Sequence, residues 1–179
     1  GHFRFQCHGE LVYNLEINLG YQHRGIEEMI IKANDTQRLI LAESIAGDTV
    51  MGHMSAHCGA IESLSGTAPA LKAQIIRSIA EEIERIAMHI GCLSGIANDV
   101  GFALATHSYG RIRTIMINSL GLICGSRFGR GLFNYGGVRF NIDAEVRKQL
   151  LANMRSVRDD IFHINEMMFF SYHIQHLFH

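Results

Sequence analysis

The spacing of apolar residues changes once along this chain, near residue 20, and this change limits the folds that it can adopt. From Phe3 to Leu19 apolar and polar residues alternate with a period of two, apart from a turn at His8-Gly9-Glu10. Such alternation is typical of a β-hairpin with one half-buried face. Beyond residue 20 the apolar residues recur at helical spacing. We therefore expect a mainly α fold, with a β-hairpin over residues 1–20 and a bundle of long helices over residues 21–179.

Capping and helix-breaking residues divide the helical part into segments. The predicted helices are Gly25 to Ala33, Thr36 to about Leu64, a third helix starting at Pro69, Arg111 to Ile123, and a last helix from Asp143 toward Tyr172. Asp35 and Asp143 are the predicted N-caps of the second and last helices. In the third helix one apolar stripe has helical spacing: Leu71, Ile75, Ile79, Ile83, Ile86 and Ile90. The glycine-rich segment 125–141 lacks a dinucleotide fingerprint and a phosphate-loop lysine, so it is predicted to be a connection.

Composition excludes several classes of function. Apolar residues make up 47% of the 179 residues, charged residues make up 18%, and the net charge is -1. The chain is long enough for one globular domain, and it lacks the basic surface that a nucleic-acid partner requires. No apolar run in the sequence is long enough to span a bilayer. The four cysteines form no C-x-x-C pair, so we expect reduced thiols in a cytoplasmic protein.

A cluster of ionisable residues stands at the junction between the hairpin and the first helix. His23 and Glu27 are four residues apart and can share a helix face, with Arg24 beside them. An imidazole and a carboxylate next to a fixed cation tune each other's pKa, which suits the entrance of a proton relay. A buried ion pair that only fixes the turn would have the same pattern. The residues alone leave both interpretations open.

Several motifs follow one another in an order that is more specific than any one of them. They are Gly1-His2-Phe3-Arg4-Phe5, Gly9-Glu10, Leu19-Gly20-Tyr21-x-His23-Arg24-Gly25-Ile26-Glu27, the set Arg77, Glu81, Glu84-Arg85 and His89, then Asn98-Asp99-Val100-Gly101 and Gly136-Gly137-Val138. This series resembles the large subunit of membrane-bound (group 4) nickel–iron hydrogenases. It also resembles the homologous nickel-subunit-like protein of respiratory complex I.

The resemblance implies a setting for the chain. The chain would be one fragment of a longer large subunit, peripheral to the inner face of a membrane. Its partners would be an iron–sulfur small subunit, which holds the iron–sulfur clusters, and the other subunits of the complex. The resemblance also implies a proton-path carboxylate at Glu27 and an aspartate near a quinone at Asp99. The polar residues of the third helix would form a half-buried network between helices.

The sequence departs from the hydrogenases in the segment that would hold nickel. In the family this segment reads Arg-x-Cys-Gly-x-Cys. Here Ser44 stands in place of the arginine, and Ala46 and Thr49 stand in place of the cysteines. A nickel–iron centre requires soft thiolates, which a methyl or hydroxyl group does not replace. We therefore expect no nickel.

The complex I relatives also lack these thiolates but carry Asp-Tyr, whose phenol binds the quinone. In this chain Ala46-Gly47 occupies those positions. Asp48, Thr49 and His53 still offer polar groups, so a quinone remains a candidate ligand. The spacing of His53 and His57 also suits a metal on one helix face. A histidine on a helix is more often a satisfied core group, and we expect no metal or other cofactor bound by this chain itself.

Two hypotheses of different classes follow. In the first, the chain is a diverged subunit of a hydrogenase-like or NADH:quinone oxidoreductase-like complex, and a metal-free cavity couples electron transfer to proton movement. The residues expected to line or feed this cavity are His23, Glu27, Asp48, His53 and Asp99. In the second, the chain is a catalytically silent scaffold that holds partner subunits. The missing thiolates argue against an active nickel hydrogenase in both cases.

Overall fold

The computed structural model describes residues 1–170, and helices account for most of them. In this range the helices are α1 (Ile26–Lys32), α2 (Asp35–Glu43), α3 (Val50–Ser65), α4 (Leu71–Asp99), α5 (Ala103–Cys124) and α6 (Ala144–Phe169). Two antiparallel strand pairs join β1 (His2–His8) to β2 (Leu11–Asn18) and β3 (Phe133–Asn134) to β4 (Gly137–Val138). The predicted mainly α fold with an N-terminal β-hairpin is confirmed. The predicted end of the last helix, Tyr172, lies outside the described residues.

The N-terminal hairpin has the predicted alternation but not the predicted burial. Phe3 lies opposite Ile17 and Phe5 lies opposite Leu15, so these four side chains share one face. Every residue of both strands is nevertheless exposed. The expected half-buried face is therefore wrong for residues 1–170, because each strand pairs with the other and no described helix covers them.

The predicted second helix is in fact two helices. α2 ends at Glu43 and α3 begins at Val50, with an irregular segment between them. At the end of α2 the Ser44 hydroxyl donates to the carbonyl of Ile40 at 2.8 Å. Gly47 and Asp48, in the segment that follows, have low helix propensity. The predicted cap, Asp35, was also wrong. Asn34 caps α2 in a capping box, in which the side chains of Asn34 and Gln37 each accept from the backbone N–H of the other.

The start of α3 is stabilised from outside the helix. Its N-cap residue, Thr49, makes no capping hydrogen bond with its side chain. Instead the Glu84 carboxylate, which belongs to α4, accepts from the backbone N–H groups of Met51 at 2.8 Å and Gly52 at 3.0 Å. These N–H groups have no acceptor within their own helix, and the helix dipole also favours an anion there. A residue of α4 thus stabilises the interruption of the predicted long helix.

The core is built on one face of α4, where alanine and isoleucine recur. The buried members of this face are Ala73, Ile76, Ala80, Ile83, Ala87 and Ile90. The small alanines allow close approach of α5, whose Tyr109 and Ile112 are fully buried. Leu71 and Ile75, which the sequence placed in the apolar stripe, are exposed. The buried face is therefore rotated from the predicted stripe.

The predicted start is wrong for α5 and right for α6. α5 starts at Ala103, earlier than the predicted Arg111, and its first turns carry the buried Tyr109, which donates to Asn165 of α6 at 2.6 Å. For α6 the predicted N-cap is present, because the Asp143 carboxylate accepts from a backbone N–H at 2.8 Å. None of the helices in residues 1–170 is both long and apolar enough to cross a membrane.

A buried ion pair joins α3, α4 and the β3–β4 turn. Arg77 donates to the two carboxylate oxygens of Glu62 at 2.9 and 2.7 Å. The same guanidinium donates to the backbone carbonyls of Asn134 and Gly137, each at 2.9 Å. Glu62 also accepts from the N–H of Gly136 at 2.7 Å. Because every polar group of the pair has a partner, the pair locks the turn against two helices.

Replacing Arg77 by leucine is expected to lower the free energy of unfolding by about 3–5 kcal/mol, because the Glu62 carboxylate would remain buried without its cation. Arg85→Leu on the same helix is the matched control, since Arg85 is exposed and pairs with the exposed Glu82. The control should change the free energy by less than about 1 kcal/mol. Urea denaturation measures both variants, and equal losses would contradict the importance of the buried pair.

Candidate functional site

One cleft brings together the two segments that the sequence singled out. It has a volume of about 770 Å³. Residues 21–24 line it from the connection between the hairpin and α1. Residues 45–49 line it from the connection between α2 and α3. The cleft therefore exists because the predicted long helix is interrupted.

Arg24 ties the two segments together. Its guanidinium donates to the carbonyl oxygen of Ile45 at 2.5 Å. The turn that carries it is closed by a hydrogen bond from the His23 N–H to the carbonyl of Gly20 at 3.0 Å. Gly20 has a φ of 99°, a conformation that favours glycine. Within residues 1–170 no ion pair joins Arg24 to Glu27, so the cation acts across the cleft.

His53 lies in the first turn of α3, next to the cleft residue Thr49. Its Nδ1 is 2.7 Å from the backbone carbonyl oxygen of Thr49 and 3.1 Å from the Thr49 hydroxyl. A carbonyl oxygen only accepts, so the contact assigns the proton to Nδ1. In the neutral ring Nε2 is then the nitrogen that remains to accept a proton.

Glu84 belongs to α4, but its carboxylate lies at the start of α3, near His53. It was not predicted as a site residue. Burial raises the pKa of its carboxyl, while the hydrogen bonds from Met51 and Gly52 and the nearby His53 oppose the rise. A signal for its burial was present in the sequence. Glu84 follows Arg77 by seven residues, so both lie on the same face of α4. A buried carboxyl with raised proton affinity next to an imidazole is suited to hold a proton.

The other predicted site residues do not all lie in the cleft. His23 and Asp48 are exposed and line the cleft. Glu27 lines an adjoining cavity of about 250 Å³, which shares a wall with the cleft. Asp99 lies at the end of α4 and lines neither cavity. Because a helix rises 1.5 Å per residue, Asp99 is about 22 Å along α4 from Glu84.

A phenol that was not predicted as a site group also lines the cleft. Tyr21 is 70% exposed, and its hydroxyl is 3.4 Å from the side-chain nitrogen of Asn18. The segment Ala46-Gly47 carries no phenol, but Tyr21 supplies one from the opposite segment. Its position two residues before His23 in the motif was the signal that could have identified it.

His57 makes a hydrogen bond with Tyr135, which is not a residue of the cleft. Its Nε2 lies 2.9 Å from the hydroxyl of Tyr135, and burial and the nearby Arg38 lower its pKa. This contact occupies a ring nitrogen that would be needed for a shared metal with His53. In residues 1–170 no group of three or more His, Cys, Asp or Glu side chains is arranged to hold a metal ion.

The thiols of the chain lie away from the cleft. None of the four cysteines, all within the described residues, is among those that line it. Cys58 is fully buried in α3, and burial raises the pKa of its thiol to about 11. Since the thiolate is the form that binds metals, this side chain is a poor ligand at neutral pH. The described cleft thus offers oxygen and nitrogen groups, not sulfur.

Known proteins resemble the chain over most of its length, although no family model matches it. It is 30% identical over 164 residues to the carbon monoxide-induced hydrogenase of Rhodospirillum rubrum, across 89% of this chain and 45% of that protein. It is 30% identical over 146 residues to the alpha subunit of the membrane-bound hydrogenase of Pyrococcus furiosus, across 82% of this chain and 34% of that protein. It is 33% identical over 143 residues to the C/D subunit of the NADH-quinone oxidoreductase of Bacteroides fragilis, across 78% of this chain and 26% of that protein.

The chain is homologous to these hydrogenase and NADH-quinone oxidoreductase subunits. The resemblance to the group 4 hydrogenase and complex I subunits is therefore confirmed. The chain spans less than half the length of these relatives. Residues 45–49, which the resemblance placed at the nickel-binding motif, form one wall of an open cleft.

The two buried glutamates are expected to change stability with pH in opposite directions. The Arg77 guanidinium holds the pKa of Glu62 below its usual value, so Glu62 adds stability above the unfolded pKa of about 4.3, and this stability is lost as the pH falls. Burial raises the pKa of Glu84, so its favourable contribution is present below about 4.3 and is lost as the pH rises.

Urea denaturation of wild type, Glu62→Gln and Glu84→Gln at pH values below and above about 4.3 tests whether the two effects on stability have opposite signs. The advantage of wild type over Glu62→Gln should grow as the pH rises. Its advantage over Glu84→Gln should shrink. Two differences that move in the same direction would contradict either the effect of Arg77 on the pKa of Glu62 or the effect of burial on the pKa of Glu84.

Proposed function

We propose that this chain is part of the large-subunit-like portion of a membrane-associated redox complex, in which the cleft couples electron transfer to proton movement without nickel. The observation that carries the proposal is the position of residues 45–49, which form one wall of the cleft. The resemblance to the hydrogenases places the nickel-binding motif at this segment, where the chain has Ala46 and Thr49 in place of thiolates. The relatives named above are redox-complex subunits, which supports the class of function.

The cleft has groups suited to a small polar acceptor such as a quinone. Tyr21 and His23 are both able to donate hydrogen bonds to a quinone carbonyl from one side of it. Asp48 provides a charged group on the other side. Each of these side chains is exposed to the cleft, so a ligand would reach them without unfolding the segments.

Proton movement would use the groups behind the cleft. His53 keeps Nε2 as an acceptor, and Glu84 lies beside it with a raised pKa. The carboxylate of Glu27 would serve the adjoining cavity as the outer proton-path group. Asp99 lines neither cavity, so we place it in a region of the complex that is separate from the cleft.

The proposed partners are an iron–sulfur small subunit and the other subunits of the complex, at the inner face of a membrane. The exposed apolar face of the hairpin supports a role in assembly. Phe3, Phe5, Leu15 and Ile17 are each between 44% and 58% exposed. A contiguous apolar face of this kind is typical of a protein contact.

The same face favours the second candidate function, a catalytically silent scaffold. A scaffold requires the fold and its contact surfaces but not the polar side chains of the cleft. The two functions therefore differ in whether the cleft side chains can be replaced without loss of electron transfer.

The experiment uses the purified complex that contains this chain and follows electron transfer to a quinone analogue. Tyr21→Phe and Asp48→Asn are each expected to lower the rate by about tenfold or more, because a donor and a charge would be lost where the acceptor reacts. Tyr13→Phe and Asp159→Asn are matched controls on exposed residues outside the cleft, and they should change the rate less than twofold.

Unchanged rates in both cleft variants would favour the scaffold. Metal analysis of the same complex tests the other part of the proposal. Nickel in stoichiometric amount, together with hydrogen-dependent dye reduction, would contradict a nickel-free cleft in this protein.

A further inference from the structure

The glycine-rich connection between α5 and α6 contacts both ends of one wall of the cleft. This wall, the 45–49 wall, consists of residues 45–49 between the end of α2 and the start of α3. Glu43 is the last residue of α2, and its carboxylate accepts from the backbone N–H of Gly131 at 2.6 Å. Met51 lies in the first turn of α3 and packs against Gly129. The connection therefore does more than join two helices.

The contact between Gly129 and Met51 leaves no room for a side chain at residue 129. Gly129 is buried and has a φ of 73°, a conformation that favours glycine. A β-carbon built on it would lie 2.5 Å from Cε and 2.7 Å from Sδ of Met51. Met51 is fully buried, and a closely packed core leaves its side chain little space into which to turn. A larger residue at position 129 would therefore displace the first turn of α3 or the connection.

The contact between Glu43 and Gly131 is polar. A carboxylate that accepts from a backbone N–H forms a charge-assisted hydrogen bond, which is roughly twice as strong as a neutral one. Glu43 is half-buried, and among residues 1–170 no cation lies within ion-pair distance of it. The carboxylate thus fixes the end of α2 to the connection and not to a cation.

The connection is itself anchored away from the cleft. The buried pair of Arg77 and Glu62 binds backbone groups of the β3–β4 turn. This turn begins at Phe133, close in sequence to Gly129 and Gly131. Because the pair fixes the turn to α3 and α4, the two glycines hold the ends of the 45–49 wall against a rigid part of the core.

We propose that Glu43 and Gly129 are positioning residues of the cleft, which set the place of the 45–49 wall for a bound acceptor. Neither residue lines the cleft, so both would act through the wall and not by contact with the ligand. This role rests on the proposed function, since it requires an acceptor between the two walls. The position of the wall is also measurable without an acceptor, so the two proposals can fail separately.

The first test compares Gly129→Ala with Gly125→Ala in the purified complex that contains this chain. Gly125 has a φ of 77°, but a β-carbon built on it meets no described residue within 4 Å. Both alanines strain the backbone, whereas only Gly129→Ala meets Met51. Mass spectrometry follows hydrogen exchange of the backbone amides of residues 44–52. We expect exchange about tenfold or more faster in Gly129→Ala, and less than about twofold faster in Gly125→Ala.

A second pair of variants tests the polar contact and does not depend on whether alanine is tolerated at residue 129. Glu43→Leu removes the acceptor of the Gly131 N–H, whereas Glu43→Gln retains a carbonyl oxygen that accepts. Glu43→Leu is expected to speed the exchange of residues 44–52 by about tenfold or more. Glu43→Gln should speed it by less than about threefold, because only the charge is lost.

Steady-state kinetics with a quinone analogue separate positioning from a general loss of structure. A displaced wall weakens binding of the acceptor, so KM should rise about fivefold or more in Gly129→Ala and Glu43→Leu, with a smaller change in kcat. Partial unfolding would instead lower the number of active complexes, and thus kcat, at an unchanged KM. Met51→Ala removes the atoms that the new methyl group meets. Gly129→Ala should therefore raise KM much less in a Met51→Ala background.

Three results would overturn the positioning role. The first is unchanged exchange of residues 44–52 in both Gly129→Ala and Glu43→Leu. The second is equal acceleration in Gly125→Ala, and the third is a lower kcat at unchanged KM in both positioning variants. If the cleft variants leave electron transfer unchanged, the proposed function fails by itself. Faster exchange in both positioning variants would even then support their hold on the 45–49 wall.

Discussion

The carboxylate of Glu84 at the start of α3 is the interaction on which the geometry of the cleft depends. Without it the first N–H groups of α3 would have no acceptor, since Thr49 makes no capping bond with its side chain. By accepting these hydrogen bonds, Glu84 stabilises a helix that begins at Val50 and leaves the preceding segment free to line the cleft. α4 therefore contacts both ends of α3. Glu84 accepts hydrogen bonds at the start of α3, and Arg77 binds Glu62 near its end.

Local signals in the sequence predicted the elements that depend on local chemistry. The alternation of the hairpin and the cap at Asp143 are both observed. The interruption of the second helix was missed because the local signal, the low helix propensity of Gly47 and Asp48, is weak, and the residue that stabilises the new helix start belongs to another helix. The choice of Asp35 as cap was an error of a different kind, since the box that Asn34 forms with Gln37 is visible in the sequence. Hairpin burial failed because alternation indicates an apolar face but not what covers it.

The candidate site was predicted in part, for similar reasons. His23 and Asp48 line one cleft because the hydrogen bond from Arg24 to Ile45 joins the two connections that carry them. Tyr21 was missed because the resemblance led us to expect a phenol at residues 46–47, in the other segment. Glu84 was missed because its neighbours in sequence are those of a polar helix face, and only its spacing from Arg77 indicates burial. Residues that act across helices are the ones that local patterns identify least well.

The relation between fold and chemistry in this chain follows from these contacts. The helices and the turn around Glu62 hold the two connections in place, and none of these contacts requires a thiolate or a metal. The walls of the cleft at residues 45–49 therefore do not depend on a metal ligand for their position. What the cleft offers instead is a phenol, an imidazole and a carboxylate around an open space. This combination suits hydrogen bonding and proton transfer more than metal binding.

The most direct test of this account is to map where a quinone analogue binds. The isotope-labelled chain would be titrated with a short-chain quinone analogue, and the backbone amide resonances would be followed by NMR. The account predicts shifts that cluster at residues 21–24 and 45–49, extend to His53 and disappear in Tyr21→Phe. Shifts confined to residues outside the cleft, or no specific shifts at all, would contradict it.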